Sequence, residues 1–189
     1  MNAPPRPRPP GEVRLIGGQY KRSKLPVPNR PGLRPTPDRV RETLFNWLGQ
    51  DLSGWRVLDA FAGSGALGFE AASRSAAEVL LLEQDAVLVA SLDKVKARLS
   101  ATAATVQRAD AMAWMARAGR DRFELVLIDP PFDAGLAARA AQLAAALVVP
   151  GGFVYVESGA ALAELPPGFE PWRQLRAGAV HAQLLRRPD

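Results

Sequence analysis

From Trp55 onward, short apolar runs alternate with longer alanine-rich segments, and this alternation constrains the fold more than any other feature of the chain. The apolar runs predict strands at Arg56–Ala60, Val79–Glu83, Thr105–Arg108, Leu125–Asp129, Phe153–Glu157 and His181–Arg186. The segments between them predict helices at Leu67–Ser75, Ala86–Leu99, Ala111–Ala118 and Leu136–Leu147. Runs such as Val79-Leu80-Leu81-Leu82 and Leu125-Val126-Leu127-Ile128 show no polar alternation, so both faces of those strands must be covered. Strands alternating with helices, and strands buried on both faces, together specify an α/β fold: a doubly wound, mostly parallel sheet with helices on both sides. A chain of 189 residues with 48% hydrophobic residues has the material for one such domain and no more.

The segment in front of this domain reads differently. Met1 to Leu48 carries ten Arg or Lys and three acids, while the remainder is slightly acidic, so one quarter of the chain holds more than the whole net charge of +5. A basic stretch of this kind predicts a polyanionic partner, nucleic acid first. Residues 1–12 are Pro/Arg-rich and predict a disordered tail. Residues 13–50 predict a basic arm and one helix, and residues 51–189 the α/β domain. Val13 to Ile16 has the composition of a short strand. Prolines at 26, 28, 31, 35 and 37 predict that Leu25 to Arg34 is irregular. The helix that follows has Thr36 as its expected N-cap, Pro37 at the first position and Asp38 facing the dipole, with Val40, Leu44 and Leu48 on one face.

Two motifs carry the chemistry. The first, Asp59-Ala60-Phe61-Ala62-Gly63-Ser64-Gly65, follows the first strand of the domain and opens a helix, where glycines let a ligand approach the backbone. Gly63, Gly65 and Gly68 also satisfy a GxGxxG spacing, and Glu83 follows twenty residues after Gly63, placed to accept hydrogen bonds from a ribose. On spacing alone, S-adenosylmethionine and a nicotinamide dinucleotide fit this loop about equally. Asp110 with Ala111 lies where an adenine edge would sit, and Asp110 serves equally well as a helix N-cap. The second motif is Asp129-Pro130-Pro131-Phe132 at the end of an apolar strand. A carboxylate and a rigidly held carbonyl accept both hydrogens of an exocyclic amine, and Phe132 offers a stacking face for a base, a contact worth ~1–3 kcal/mol. Methyl transfer to such an amine is a displacement that needs positioning above all. It requires neither a thiol nor a metal, which suits a chain with no cysteine and a single histidine, His181. No apolar run approaches the ~20 residues of a membrane span, and the N-terminus lacks a signal-peptide core. Together these predict a soluble, cytoplasmic protein, acting as a monomer.

Asp129–Phe132 resembles the Asp/Asn-Pro-Pro-aromatic signature of S-adenosylmethionine-dependent amino methyltransferases acting on bases. More narrowly, five stretches resemble the RsmD-type bacterial 16S rRNA (guanine-N2)-methyltransferases: Arg14–Gly18, Leu33–Asn46, Asp59–Glu70, Asp129–Phe132 and Tyr155–Ser158. The resemblance implies a Rossmann-like methyltransferase sheet of seven strands with a short basic extension. It also implies S-adenosylmethionine as cofactor and 16S rRNA, in the 30S subunit, as partner. Asp129, Pro130, Pro131 and Phe132 are then the catalytic residues. Asp59, Phe61, Ala62, Gly63, Ser64, Gly65, Glu83, Asp110 and Ala111 hold the cofactor. Arg14, Lys21, Arg22, Lys24, Arg34, Arg39 and Arg41 grip RNA phosphates. The competing readings are a DNA adenine or cytosine amino methyltransferase, which shares the second motif, and an NAD-dependent oxidoreductase, which shares the first. The family pattern has a Gly-Arg pair where this chain has Arg22-Ser23.

Overall fold

The apolar runs become strands of a single sheet. The computed structural model describes residues 11–131 and 135–189. A hairpin of β1 (Gly11–Arg14) and β2 (Lys24–Val27) is followed by α1 (Asp38–Trp47). Then come β3 (Arg56–Asp59), α2 (Ala66–Ser73), β4 (Glu78–Glu83), α3 (Ala86–Leu99), β5 (Ala104–Arg108), α4 (Ala111–Arg117), β6 (Phe123–Ile128) and α5 (Leu136–Ala145). The chain closes with β7 (Val148–Ser158), β8 (Glu170–Ala177) and β9 (Val180–Arg186). The large sheet has seven strands in the order β5-β4-β3-β6-β7-β9-β8. β5, β4, β3, β6 and β7 run parallel, and β9 and β8 add antiparallel pairings at one side.

The unbroken apolar runs are explained by two buried layers. On β6, Leu125 and Leu127 face a core shared with α1, α2 and α3, while Val126 and Ile128 face a second core built by α4 and α5. The chain leaves β3 for β4 and β5 on one side and returns to β6 on the other. The carboxyl ends of β3 and β6 therefore flank the switch point at which such sheets open a crevice.

The front segment is woven into the first core. Val13, Leu15, Leu25 and Val27 bury there together with Val40, Leu44 and Phe45 of α1. Three expectations are corrected here. Strand β1 begins at Gly11, inside the stretch expected to be tail; residues 1–10 lie outside the described residues. Lys24–Val27 is a regular strand despite Pro26, because a proline is tolerated in a two-stranded ribbon that has no further neighbour to accept its missing N–H. Thr36 does not cap α1: Pro37 occupies the N-cap position with no side-chain hydrogen bond. Strand β8, which lacks a continuous apolar run, was not foreseen; its exposed face is mostly polar.

A buried charge cluster fastens the arm to the domain. Glu70, on α2, accepts from the backbone amides of Ile16 and Gly17, each at 2.9 Å, and pairs with Arg74 at 3.0 Å and Arg41 at 3.3 Å. Arg74 also lies 4.9 Å from the centre of the Phe45 ring. Arg41 donates further to the carbonyls of Thr36 (3.2 Å) and Arg14 (3.0 Å) and to the Asp38 carboxylate. Its relative exposure is 0%. Arg41 is therefore no phosphate-gripping residue: its donors are committed inside the protein. Gly18 allows the arm to lie against the end of α2, since at φ +76° a Cβ would fall 1.8 Å from the Ser73 carbonyl oxygen. Arg22 adopts φ +71°, a left-handed conformation that suits the glycine of the family pattern better than arginine.

Removing one partner from a buried ion cluster leaves an uncompensated charge, at a cost of about 3–5 kcal/mol. Glu70→Ala is expected to lose stability of this order in urea denaturation. Arg39→Ala, on the exposed side of the same region, is expected to change it by less than about 0.5 kcal/mol.

Candidate active site

The carboxyl ends of β3 and β6 open into a cleft of about 320 Å³. After β3 the chain turns sharply, and Gly65 at φ +84° starts α2. A Cβ on Gly65 would meet Phe69 and Leu92 at 2.5 and 2.7 Å, so only glycine permits the turn to close onto the helix. Phe61, Ala62, Gly63 and Ser64 line the cleft; Gly65 does not. Its demonstrable role is conformational, behind the loop. Asp59 lies at the base of the cleft, with Oδ2 accepting from the Gly68 amide at 2.9 Å. Its other oxygen, Oδ1, is buried and finds no hydrogen-bond partner among the described residues. Burial pushes the Asp59 carboxyl up to about 7, helped by the nearby carboxylates of Glu83 and Glu157 and opposed by the Gly68 amide.

Glu83, at the end of β4, also lines the cleft. It accepts from the amides of Gly63 (2.9 Å) and Asp85 (3.1 Å), which ties the glycine loop to the next strand. Asp110 caps α4 through the Ala113 amide at 2.8 Å, and it lines the cleft beside Ala111. One wall comes from the basic arm, which sequence reasoning did not assign to the site. Leu33, Arg34, Pro35 and Thr36 face the cleft, and Arg30 is latched to Asp85 across it at 2.7 Å.

At the other side stand Asp129, Pro130 and Pro131. Phe132 lies outside the described residues. Asp129 is joined to two groups missed from the sequence. The Thr36 hydroxyl lies 3.1 Å from Asp129 Oδ2 and 3.3 Å from Glu157 Oε2, and the Tyr155 hydroxyl donates to Glu157 Oε1 at 2.7 Å. The available signal for Glu157 was that both apolar runs, Leu125–Ile128 and Phe153–Val156, are followed at once by an acid; the parallel pairing of Ile128 with Val156 sets those two acids side by side. Burial, and then the charge of Glu157, hold the Asp129 carboxyl well above the usual carboxylate range. Outside the cleft, Arg14, Lys21, Arg22 and Lys24 are exposed on the arm, as are Arg34 and Arg39 near its end; Lys24 pairs with Glu12 at 3.4 Å.

A seven-stranded, mostly parallel sheet with a glycine loop and an Asp-Pro-Pro turn on one crevice defines the class of Rossmann-like methyltransferase folds. The chain belongs to the family described as conserved hypothetical protein 95, whose model matches residues 13–186. It is 43% identical over 181 residues to ribosomal RNA small subunit methyltransferase D of Escherichia coli K12, covering 94% of this chain and 91% of that protein. It is 42% identical over 153 residues to the protein of the same name from Haemophilus influenzae, covering 78% and 79%. Among solved structures, the putative methyltransferase yhhF from Escherichia coli superimposes with a TM-score of 0.85 at 40% identity, covering 94% of this chain and 99% of that one. The T. thermophilus 16S rRNA N2 methyltransferase RsmC, in complex with AdoMet and guanosine, superimposes with a TM-score of 0.68 at 25% identity. That match covers 100% of this chain and 53% of the other.

The raised Asp59 carboxyl has a measurable consequence. The folded state holds this proton more tightly than the unfolded chain does, so the associated stability is complete below about pH 4 and is lost as pH rises through 7. The step from 3.8 to about 7 corresponds to about 4 kcal/mol. Asp59→Asn is expected to be more stable than the parent in urea at pH 8, and the gain should vanish near pH 4. An equal gain at both pH values would contradict burial of an ionisable carboxyl there.

Proposed function

We infer that the chain transfers a methyl group from S-adenosylmethionine to the exocyclic N2 of a guanine in 16S rRNA. The observation that carries this reading is the Asp129-Pro130-Pro131 turn facing the glycine loop across one acid-lined cleft, in a chain 43% identical to a small-subunit rRNA methyltransferase.

The donor set fits the cofactor. S-adenosylmethionine supplies a methyl group on a cationic sulfonium and also carries an ammonium. Asp59, Glu83 and Asp129 meet at the cleft, and Asp59 Oδ1 is an acceptor left without a partner among the described residues. Once ionised, these groups favour a cation and oppose the pyrophosphate of a dinucleotide, which weighs against the oxidoreductase reading. Phe61, Ala62, Gly63 and Ser64 form the loop against the cofactor, Gly65 shapes it, Glu83 accepts from the ribose, and Asp110 with Ala111 borders the adenine.

Asp129 and the Pro130 carbonyl hold the exocyclic amine with its lone pair directed at the methyl group, Pro131 stiffens the turn, and Phe132 stacks the base. Holding reactants in line contributes ~7–11 kcal/mol over a bimolecular encounter. Residues 13–50 act as an RNA-binding arm on a methyltransferase domain of residues 51–189, with Arg14, Lys21, Arg22, Lys24, Arg34 and Arg39 on phosphates. Phosphate contacts position the RNA without reading its sequence, so the guanine is selected by the shape of the 30S particle. The family relationship favours RNA over DNA as substrate. In this reading the protein acts in the cytoplasm as a monomer. Among the described residues no helix is long and apolar enough to cross a membrane.

Methylation of 30S particles lacking the modification tests this reading. Wild-type protein should methylate 16S rRNA at guanine N2, and Asp129→Ala should lower turnover by about 10²-fold or more. Undiminished methylation by Asp129→Ala would remove its assigned role. Calorimetry should detect S-adenosylhomocysteine and not NAD. A protonated Asp129 cannot accept from the amine, and burial raises its proton affinity. Turnover should therefore rise with pH, along a limb lying above the ordinary carboxylate range.

A further inference from the structure

Asp129 does not stand alone at the end of its strand. Behind it lie Glu157, itself 5% exposed, the fully buried Tyr155 and Thr36, also 5% exposed. Tyr155 and Glu157 do not line the cleft, so cofactor contact does not explain them; Thr36 borders the cleft, and its hydroxyl is turned to the two acids. A buried carboxyl beside another carboxyl is costly, and it persists only where other groups define its geometry. Here they do. Tyr155 fixes one oxygen of Glu157 at 2.7 Å, and the Thr36 hydroxyl spans the other oxygen and Asp129 at 3.3 and 3.1 Å.

Thr36 comes from the arm, 93 residues away from Asp129 in sequence. Pro35 and Pro37 restrict the backbone on either side of it, and its carbonyl accepts from Arg41, the residue bound to Glu70. The path from the docked arm to the Asp129 carboxyl thus runs through consecutive contacts of 3.3 Å or less.

We propose that Thr36, Glu157 and Tyr155 are positioning residues that orient the Asp129 carboxyl group from behind, so that methyl transfer depends on the arm being docked. This rests on the reading of Asp129 as the acceptor for the exocyclic amine. Tyr155 anchors Glu157, Glu157 and Thr36 restrict the rotation of Asp129, and a displaced arm withdraws the Thr36 hydroxyl. The other charged groups that act on the carboxyl pair are Asp59 from the end of β3 and Arg41 from α1.

The test measures kcat, KM for 30S particles, and the pH profile for wild type, Glu157→Gln, Tyr155→Phe, Thr36→Val and Thr36→Ser, with S-adenosylhomocysteine affinity as the check on folding. Misplacement of a reacting group by about 1 Å costs about 10²-fold. Glu157→Gln is expected to lower kcat by about that factor and Thr36→Val by about tenfold, with KM and S-adenosylhomocysteine affinity within about twofold of wild type. Thr36→Ser should restore most of the rate, which a purely structural role for the threonine methyl would not allow. Glu157→Gln should also move the acid limb to lower pH, because the neighbouring negative charge is gone. Wild-type turnover and an unmoved acid limb in Glu157→Gln, or equal rates for Thr36→Val and Thr36→Ser, would overturn the relay. If Glu157→Gln fails to fold, the Thr36 pair decides alone. A wild-type protein that methylates no 30S particle overturns the functional reading instead.

Discussion

The buried carboxylate of Glu70 is the contact on which the relation between the two parts of the chain depends. A single charge on the helix behind the glycine loop takes two arm amides and two guanidinium groups, all inside the protein. The arrangement holds because every oxygen and most donors are satisfied, the condition under which a buried ion cluster confers a unique geometry. Its reach is wide. Arg41 carries the constraint into the loop that bears Thr36, and Arg74 carries it to the Phe45 ring of α1. The basic segment is in this way a structural wall of the crevice as well as a charged surface.

The cleft and the surface around it carry opposite signs. Asp59, Glu83 and Asp129 gather at the carboxyl ends of three neighbouring strands, whereas Arg14, Lys21, Arg22, Lys24, Arg34 and Arg39 lie exposed along the arm and at its end. Burial first, and the neighbouring carboxyls after it, raise the proton affinity of both Asp59 and Asp129. Water and salt screen the outer charges, so the two sets act nearly independently.

The central architecture was legible in sequence because it rests on local rules. Unbroken apolar runs at Val79–Leu82 and Leu125–Ile128 announced strands buried on both faces, and the two motifs landed on the crevice that the strand order creates. What escaped notice depends on contacts between distant residues. The helix-cap rule favoured Thr36, yet its hydroxyl found acids 93 and 121 residues away, a competition no local window contains. Arg41 looked like one more basic residue of an arm until Glu70 took it inside. Proline spacing suggested irregular chain at Leu25, although alternate burial of Leu25 and Val27 suffices for a short ribbon strand. Gly65 fitted a binding motif by spacing, and the steric need for it beside Phe69 and Leu92 appears only once the helix and its neighbours are in place.

The long reach of the Thr36 contacts also orders events during synthesis. Chains emerge from the ribosome N-terminal end first, at ≈ 5–20 residues per second. The glycine loop, the arm and α1 have all emerged before Asp129 is made, and Glu157 comes 28 positions later still, as read from their residue numbers. The hydroxyl that joins them must wait, already on its arm, for both acids to arrive. A partly made chain thus carries its exposed basic surface before the Thr36, Asp129 and Glu157 cluster is complete, and only release of the full sheet joins the two.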